Sequence, residues 1–559
     1  MDNGTLVFDV RHTDFAGGAK GDGTTDDTSA IQAAIDAASG AGGGTVVIVD
    51  GTYLTGNPNN TTTRVPIQVK SGVRVVIMPG ATVRAQTGNW LSRGVFEAVE
   101  QQDVVIEGTG TLDGQRANNA GGRIFGVLLK SVQRFAVRGL RIVNMPANTG
   151  QNAGGLGGDA VVLAYASQSP AVPCRDGVVE GLYIDNVERS GISPICAERV
   201  TIRDNTIRNI DGTNPGSAID LEPDVAGMTI RDITIQANHV ESCEWGIIVN
   251  GKGPRDVTVS GNTLRGMRNS AIHVRATDVT VSGNTVHDWA GRGIWVYNGS
   301  VGVTVSGNTL EGSYTNTAQR AAICVTDAHD VSIIGNTVRR TFTVGIQVDV
   351  KFLGQTEANV FPRDAKGIVI ANNTLFAIGR DAEVGSAAIS VISSSTATPP
   401  RVAQDIVIAF NSIRDGYDPN DNDAGTGRTA PNTTDFAIDV SGVTAAERAA
   451  IHIFGNRVGP EIGARINGTY NIVSGHVVDR PTINFGTVAA GAAAEQTVAV
   501  TGATTGDSVQ ATPLGGLEAG LQLAGAWVSA AGQVTIRVHN FSGSGVSSGR
   551  SWRVILTQH

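Results

Sequence analysis

The chain has 559 residues, of which 41% are hydrophobic, 5% are aromatic and 72 are glycine. This composition allows a large core built from small aliphatic side chains, which favours many thin, repeated layers. The formal net charge of −9 disfavours nucleic acid as a partner, because phosphate binding depends on clustered Lys and Arg. No run approaches the ~20 consecutive apolar residues of a spanning helix, so we expect no membrane insertion.

The N-terminal region shows a helix signal but no export signal. Met1 to Phe8 contain neither a basic nor an apolar stretch, so no signal peptide is visible. Ser29 to Ala38 carry apolar residues at helical spacing after an Asp-Thr-Ser start signal. Gly42 to Ile48 then lead into a predicted strand. We interpret the helix as a cap on the end of a repeat array, whose outermost layer must be covered.

A repeat dominates the middle of the chain. The run Val-Thr-Val-Ser-Gly-Asn-Thr begins at Val257, Val279 and Val303, and degraded copies return in six more places. The alternating β-branched residues predict a short strand. The Asn that follows predicts a tight turn, because Asn tolerates left-handed backbone and bonds locally. We expect a buried ladder of stacked amides formed by Asn205, Asn238, Asn262, Asn284, Asn308, Asn336, Asn373, Asn411 and Asn456.

The spacing of this repeat indicates the fold. Successive copies from Val257 to Val331 lie 22, 24 and 28 residues apart, which leaves no room for the crossover helix that parallel strands normally need. A solenoid avoids the crossover by advancing one coil at a time, and the handedness preference of parallel connections makes it right-handed. The sequence therefore predicts an all-β fold, a right-handed single-stranded parallel β-helix of stacked three-sheet coils with an N-terminal capping helix.

The composition changes near Val478. Beyond it, alternating apolar runs separated by Gly-rich turns predict a small antiparallel β domain. We therefore divide the chain into an N-terminal segment with the capping helix (1–45), the β-helix (46–478) and a C-terminal sandwich-like domain (479–559). This last domain would serve in trimerisation or carbohydrate binding.

The N-terminal segment resembles a known superfamily. Residues 15–28, FAGGAKGDGTTDDT, with the helix and the strand up to Tyr53, resemble the start of the pectate-lyase-like superfamily, which includes pectate lyases, polygalacturonases and many phage tailspikes. The stretch from Gly506 to Val538 is similar to C-terminal modules of phage tail proteins. These resemblances imply a homotrimer attached to a phage tail or baseplate, or otherwise an extracellular protein, that acts on a bacterial surface polysaccharide.

A second pattern, small-Ile-X-apolar-X, predicts which side chains point outward. Because strand side chains alternate, the Ile and the next apolar residue face the core and the X positions form two outward columns. The first column is Asp220, Ile248, His273, Trp295, Cys324 and Gln347, and the second is Glu222, Asn250, Arg275, Tyr297, Thr326 and Asp349. We predict a groove for an extended sugar chain, in which rings stack on sugar faces. The predicted substrate-binding residues are Asn250, Lys252, His273, Arg275, Trp295, Tyr297, Gln347 and Asp349. The alternative is a hydrated surface shielded by a neighbouring subunit.

The run from Ser217 to Asp224 contains the candidate catalytic residues Asp220, Glu222 and Asp224. Residues two apart on a strand lie ~6.5 to 7 Å from each other, which suits the acid and base of an inverting glycoside hydrolase. Our first assignment takes Glu222 as the acid and Asp220 as the base. The Asn-Thr-Asp and Gly-His-Gly runs of polygalacturonases are absent, so their residues are not carried over. Alternatively, Asp220 and Glu222 form a surface ion network with Arg275 or Lys252.

Two further functions stay open at this point. A polysaccharide lyase that acts on a uronic acid polymer would use Lys252 or Arg275 as the base, with Ca²⁺ held by the three carboxylates. The hydrolase, by contrast, would need no metal or cofactor. A receptor-binding or adhesin solenoid would use the same groove without turnover.

Overall fold

The computed structural model describes residues 6–56, 64–88, 90, 92–119, 123–147, 158–167, 169–223, 225, 227–312, 321–341, 344–350, 364–378, 387–393, 402–414, 436–443, 447, 450–458, 464–467, 476–500 and 503–557. Among them, the strands before residue 468 form three parallel ladders, called here the first, second and third sheets, and two long strands join the first to the third. The first described coil contributes strands to the first and second sheets alone, and each later coil contributes one strand to all three. The prediction of three-sheet parallel coils is confirmed.

The first sheet contains the Val-Thr-Val-Ser runs. Its strands are Val7–Asp9, Gly44–Ile48, Val73–Ile77, Gln102–Gly108, Gln133–Arg138, Cys174–Glu180, Ala197–Arg203, Ile230–Gln236, the second halves of Trp245–Ser260 and Ile272–Ser282, Val301–Ser306, His329–Ile334, Ala365–Ala371, Ala403–Ala409 and Ile451–Phe454.

The second sheet follows the Asn turn. Its strands are Asp22–Asp26, Gly51–Thr55, Ala81–Ala85, Thr111–Asp113, Arg141–Val143, Tyr183–Val187, Thr206–Ile210, His239–Glu241, Thr263–Met267, Thr285–Trp289, Thr309–Glu311, Thr337–Arg339, Thr374–Phe376, Ser412–Arg414 and Arg457–Val458.

The third sheet carries the small-Ile-X-apolar-X pattern. Its strands are Ile67–Gln68, Arg93–Val99, Ile124–Lys130, Val161–Ala164, Ser190–Pro194, Ser217–Leu221, the first halves of Trp245–Ser260 and Ile272–Ser282, Ile294–Val296, Ile323–Thr326, Val344–Val350, Ala387–Ser393, Phe436–Asp439 and Ala464–Asn467. In the coils of Trp245 and Ile272, one continuous strand passes from the third sheet into the first.

The nine Asn of the repeat form the expected ladder. Asn262 donates its side-chain amide to Oδ1 of Asn284 at 2.9 Å, and Asn284 donates to Asn308 at 2.9 Å. The chain of amide bonds runs without a break from Asn205 to Asn456. Each Oδ1 also accepts a backbone N–H from the preceding coil, as Asn284 does from Asn262 at 2.9 Å. The ladder therefore satisfies buried polar groups of the turn as well as the amides themselves.

The left-handed residue of the turn is not the Asn, and that part of the expectation was wrong. The residue directly before each ladder Asn has positive φ, in all nine coils: Asp204, Ala237, Gly261, Gly283, Gly307, Gly335, Asn372, Phe410 and Gly455. Gly fits this position at no steric cost, which explains the repeated Gly-Asn. The Asn contributes the hydrogen bonds and not the backbone conformation.

The capping helix is Thr28–Gly40 and buries Ile31, Ala34, Ile35 and Ala38 on one face. These side chains belong to the same apolar core as the coils. The predicted cap is therefore present. The strand Val7–Asp9, which precedes the helix, pairs in parallel with Gly44–Ile48, so the first sheet starts within the segment that the sequence assigned to the cap.

The C-terminal residues form antiparallel sheets, as predicted. One sheet contains His476–Asp479, Thr482–Val488, Ser508–Pro513 and Val546–Thr557, and the other contains Ala493–Ala499, Leu521–Ala530 and Gln533–Asn540. A separate core holds Phe485 and Trp552 from the four-stranded C-terminal sheet and Ile536 and Val538 from the three-stranded one. Apolar side chains on the facing sides of both sheets therefore stabilise this domain.

Candidate functional site on the third sheet

The backbone register places the first predicted column on one outer face. Asp220 lies opposite Ile248, which lies opposite His273, and the column continues through Trp295 and Cys324 to Gln347. In the second column, Asn250 lies beside Arg275 and Thr326 beside Asp349. The alternate residues, such as Ile219 and Leu221, are fully buried in the apolar core. The columns therefore lie outside the core.

This outer face is more enclosed than an open groove. Exposed fractions are 1% for Asp220, 5% for Asp349, and 9% for both His273 and Gln347. The expectation of a solvent-facing strip is therefore wrong for these four positions, and also for Ile248, Cys324 and Thr326, which are 5%, 0% and 1% exposed. For His273 the cause is plain, because aromatic rings enclose it on three sides.

A stack of rings crosses three coils of this face. The imidazole of His273 lies between the indoles of Trp245 and Trp295, with ring centroids 5.5 and 4.9 Å away and interplanar angles of 26° and 15°. The ring of Tyr297 meets His273 edge-on at 5.4 Å. The guanidinium of Arg292 lies 3.9 Å from the centroid of Trp295.

The stack changes how these rings could meet a sugar. Trp295 has His273 against its ring on one side and Arg292 close above it, and its indole N–H donates to Thr326 at 3.1 Å. A sugar could stack on Trp295 only by displacing one of these neighbours. Trp245 has one face against His273. In the backbone register, Trp245 lies opposite Ser217 of the coil that contains Asp220.

Sequence reasoning missed Trp245. It lies directly before the small-Ile-X-apolar-X run of its coil, at a position where strand alternation predicts an inward side chain. Its residue type could have indicated it, because a large aromatic residue stands here where the neighbouring coils have Ser217 and Ser270 at or near the same position.

His273 is neutral at physiological pH. Burial, assisted by the positive charges of Arg292 and Arg275, lowers its pKa to about 3. Its Nε2 is buried and has no hydrogen-bond partner among the described residues. The imidazole therefore contributes a flat ring and an unused polar atom to the site, and no positive charge.

The predicted carboxylates are placed differently from one another. Asp220 lies within the strand Ser217–Leu221, whereas Glu222 follows its end and is partly exposed. The side-chain amide of Asn250 donates a 2.7 Å hydrogen bond to Oε1 of Glu222. Arg275 donates through Nε to the backbone carbonyl of Asn298 at 3.3 Å. Asp224 and the side chain of Lys252 lie outside the described residues.

A loop beside the third-sheet strands is held by ion pairs. In the loop from Asp211 to Gly216, Asp211 forms ion pairs with Arg116 at 3.2 Å and with Arg268 at 3.8 Å. Arg268 also pairs with Glu244, the residue before Trp245, at 3.1 Å. The sequence places two longer insertions, 314–320 and 351–366, beside the same strands, and of these only 364–366 belong to the described residues.

Within the described parts of the chain, no group of three or more His, Cys, Asp or Glu side chains is arranged to hold a metal ion. No helix in those parts has the length and apolar character needed to cross a bilayer.

Comparison with known families and structures settles the architecture. Residues 245–400 match the family of the right-handed β-helix region. The chain is a right-handed parallel β-helix. Residues 115–315 of this β-helix also match the family of the periplasmic copper-binding protein NosD.

Curated relatives match only locally. The chain is 39% identical to alginate lyase 7 of Azotobacter vinelandii over 109 residues, which cover 19% of this chain and 13% of the lyase. It is 38% identical to mannuronan C5-epimerase AlgE2 of the same organism over 109 residues, or 11% of that protein. The chain therefore spans only a small part of these relatives.

Solved structures match along the whole length. The tailspike protein of Escherichia coli bacteriophage HK620, in complex with a pentasaccharide, aligns with 99% of this β-helix chain and 93% of its own, at a TM-score of 0.65 and 15% identity. A Glu-to-Gln variant of that tailspike, also in complex with pentasaccharide, aligns at a TM-score of 0.64. At this identity the likeness concerns the fold.

Proposed function

We propose that this β-helix binds an extended bacterial surface polysaccharide along the outer face of its third sheet and hydrolyses glycosidic bonds there with Asp220 and Glu222. The observation that carries the proposal is that carboxyl side chains and an aromatic stack lie close together on this face. The carboxyl of Asp220 lies one coil from the Trp245–His273–Trp295 stack, and Glu222 is bound to Asn250 in the adjoining column. Sugar polymers need both an apolar platform and hydrogen-bonding groups.

The hydrogen bond from Asn250 supports an assignment of roles opposite to our first one. An amide donor stabilises the ionised carboxylate, so Glu222 suits the base, which takes a proton from the attacking water. Asp220, at 1% exposure, suits the acid, because burial favours the protonated carboxyl. The water oxygen would bond to the anomeric carbon while the bond to the glycosidic oxygen breaks, and Asp220 would give that oxygen its proton.

Solved complexes of the HK620 tailspike add support for a polysaccharide ligand. They include complexes with pentasaccharide in which an Asp or a Glu is substituted. We extend the polysaccharide ligand to this chain because the fold aligns over nearly its whole length. In the same proposal the protein is a phage tail component or an extracellular protein and forms a homotrimer, which light scattering would report as three times the 57.7 kDa chain mass.

The test is release of reducing ends from purified lipopolysaccharides, capsular polysaccharides and alginate. We expect activity in the wild type on at least one polymer and a loss of about 10²- to 10⁴-fold in Asp220→Asn and in Glu222→Gln, the range of a positioned acid or base. Matched controls are Asp278→Asn, exposed on the first sheet, and Glu241→Gln, on the second sheet. Both should retain wild-type rates.

Two outcomes would contradict the proposal. Equal rates in all four variants would remove Asp220 and Glu222 from the reaction. Binding of a polymer without reducing-end release would leave a receptor-binding or adhesin solenoid as the function.

A polysaccharide lyase is the second candidate, favoured by the local identity to alginate lyase 7. Arg275 and Arg292 both lie close enough to His273 to lower its pKa, so Arg292 could offset the carboxylate of a uronic acid while Arg275 acts as the base. Arg275, in its neutral form, would then take the proton next to that carboxylate. The electrons of that C–H bond would form a double bond in the uronate ring as the bond to the glycosidic oxygen breaks, and that oxygen would leave with a proton from water. Growth of the ultraviolet absorbance of an unsaturated uronate, abolished by Arg275→Gln and retained in Glu222→Gln, would identify the lyase.

A further inference from the structure

The C-terminal domain has one sheet face that does not pack on its core. In the sheet formed by Ala493–Ala499, Gln533–Asn540 and Leu521–Ala530, the apolar residues Val534, Ile536 and Val538 face inward. The alternate residues form rows across the outer face. One row joins Glu495, Arg537 and Gly525, and the next joins Thr497, Thr535 and Trp527.

An indole ring is exposed in the middle of this face. Trp527 is 37% exposed, although large aromatic side chains are usually well buried. Its six-membered ring lies over Gly525, where an added Cβ would contact ring carbons at 3.8 Å. The guanidinium of Arg537 lies 5.2 Å from the ring centroid. Neighbours on the sheet thus hold the ring in place while part of it faces solvent.

Hydrogen-bonding groups surround the indole. Nε of Arg537 donates to Glu495 at 2.6 Å, which fixes the guanidinium and neutralises it. The hydroxyls of Thr497 and Thr535 lie 2.7 Å apart, and Thr535 donates to Ser529 at 2.8 Å. Thr497 and Ser529 are both exposed. The ring therefore has fixed donors and acceptors on either side and no net charge beside it.

A second aromatic group lies farther along the same face. Phe541 is 65% exposed, and its ring centroid is 4.2 Å from that of His539. His539 follows Thr535 by four residues on one strand, so the two aromatic groups are separated by ~14 Å. An extended oligosaccharide could contact both.

We propose that this face, defined by Trp527, Arg537, Glu495, Thr497 and Phe541, is a second glycan-binding site, separate from the third-sheet site and without catalytic groups of its own. A pyranose combines an apolar C–H face with a rim of hydroxyls, and this surface offers an exposed ring with a rim of hydroxyls and a fixed ion pair. A subunit interface fits less well, because the core of such interfaces is depleted in charged residues. Here the ion pair Arg537–Glu495 lies beside the central ring.

The test is affinity electrophoresis of the full chain, made inactive by Asp220→Asn, through gels that contain alginate, E. coli lipopolysaccharide or the neutral glucan dextran. We expect retardation in at least one gel, and about tenfold weaker binding after Trp527→Ala, as for loss of an aromatic contact. Leu523→Ala is the matched control, because Leu523 is 40% exposed on the same strand. Trp245→Ala reports separately on the third-sheet site.

The outcomes distinguish this site from the proposed function. An effect of Trp527→Ala without one of Trp245→Ala would support the C-terminal site and count against the third-sheet groove. No retardation of the parent chain in any gel, or equal binding by Trp527→Ala and Leu523→Ala, would overturn the proposal. A lower molar mass of Trp527→Ala in light scattering would also overturn it, since the face would then be a subunit interface.

Discussion

The Asn turn and the outer face of the third sheet belong to the same coils and follow opposite rules. In the turn, one residue type recurs in nine coils, and the amide bonds between neighbours measure 2.9 to 3.0 Å throughout. On the third sheet the register is equally regular, yet successive residues of the first column are Asp, Ile, His, Trp, Cys and Gln. Both positions experience the same coil spacing, so stacking alone does not decide which side chains recur.

The difference shows which residues the fold itself requires. The ladder Asn satisfies backbone groups that would otherwise be buried without these partners. The third-sheet column has no such duty, and it nevertheless buries a carboxyl and an imidazole, which costs stability. Buried ionisable groups that the scaffold does not require are typical of functional sites.

Removal of one ladder amide should have the largest effect on stability. Asn284→Ala removes the amide donors to the carbonyl of Val259 and to Oδ1 of Asn308, which keeps the backbone N–H of residue 284. It also removes the acceptor of two donors of Asn262. We expect the free energy of unfolding in urea to fall by about 3 kcal/mol, the cost of several unmet buried hydrogen bonds. The control Thr280→Ala, exposed on the neighbouring strand, should change it by less than about 0.5 kcal/mol. Similar losses in both variants would show that the ladder is not special.

The sequence predicted the repetitive part of the molecule well because each coil repeats the same physical constraint. A spacing of 22 to 28 residues and a recurrent Asn were enough to predict the coils, the ladder and the outward column. It could not predict that Asp220 and Asp349 are enclosed, or that the faces of Trp295 are covered. Those facts depend on how unlike side chains of neighbouring coils pack, and no periodicity encodes that. The same limit explains why Trp245 was missed.

The buried imidazole predicts a dependence of stability on pH. The pKa of His273 is lowered from 6.5 to about 3, so between these values the unfolded chain binds a proton that the folded chain does not. Stability from this group is therefore present above pH 6.5 and is lost as pH falls toward 3. His273→Phe keeps a ring in the stack but cannot bind the proton. Between pH 7 and pH 5, we expect its free energy of unfolding to fall by roughly 2 kcal/mol less than that of the wild type. Equal losses, measured by urea unfolding at both pH values, would place His273 in a solvated environment.

Substitutions of Asn250 distinguish two roles of its side chain, positioning of Glu222 and direct binding of substrate. If its amide holds Glu222 ionised as the base, Asn250→Ala should lower kcat about tenfold and move the acid limb of the pH–rate profile to higher pH. Asn250→Ser, which keeps a donor, should recover part of the rate. A raised KM with an unchanged pH profile would instead support the direct contact with substrate that the sequence suggested.

The smallest expected effect tests the backbone of the Asn turn, where two coils provide opposite substitutions. Ala237 and Gly261 occupy the same position before the ladder Asn, with φ of 54° and 63°. Ala237→Gly removes the steric cost of a side chain in left-handed backbone, and Gly261→Ala adds it. The greater freedom of Gly in the unfolded chain partly cancels both effects. We therefore expect the free energy of unfolding to rise by about 0.5 to 1 kcal/mol in Ala237→Gly and to fall by about the same amount in Gly261→Ala. No atom lies within 4 Å of a Cβ added at Gly261, so packing does not contribute to the loss. A gain from Gly261→Ala in thermal unfolding would mean that unfolded-state freedom outweighs the strain, and that Gly recurs before the Asn for another reason.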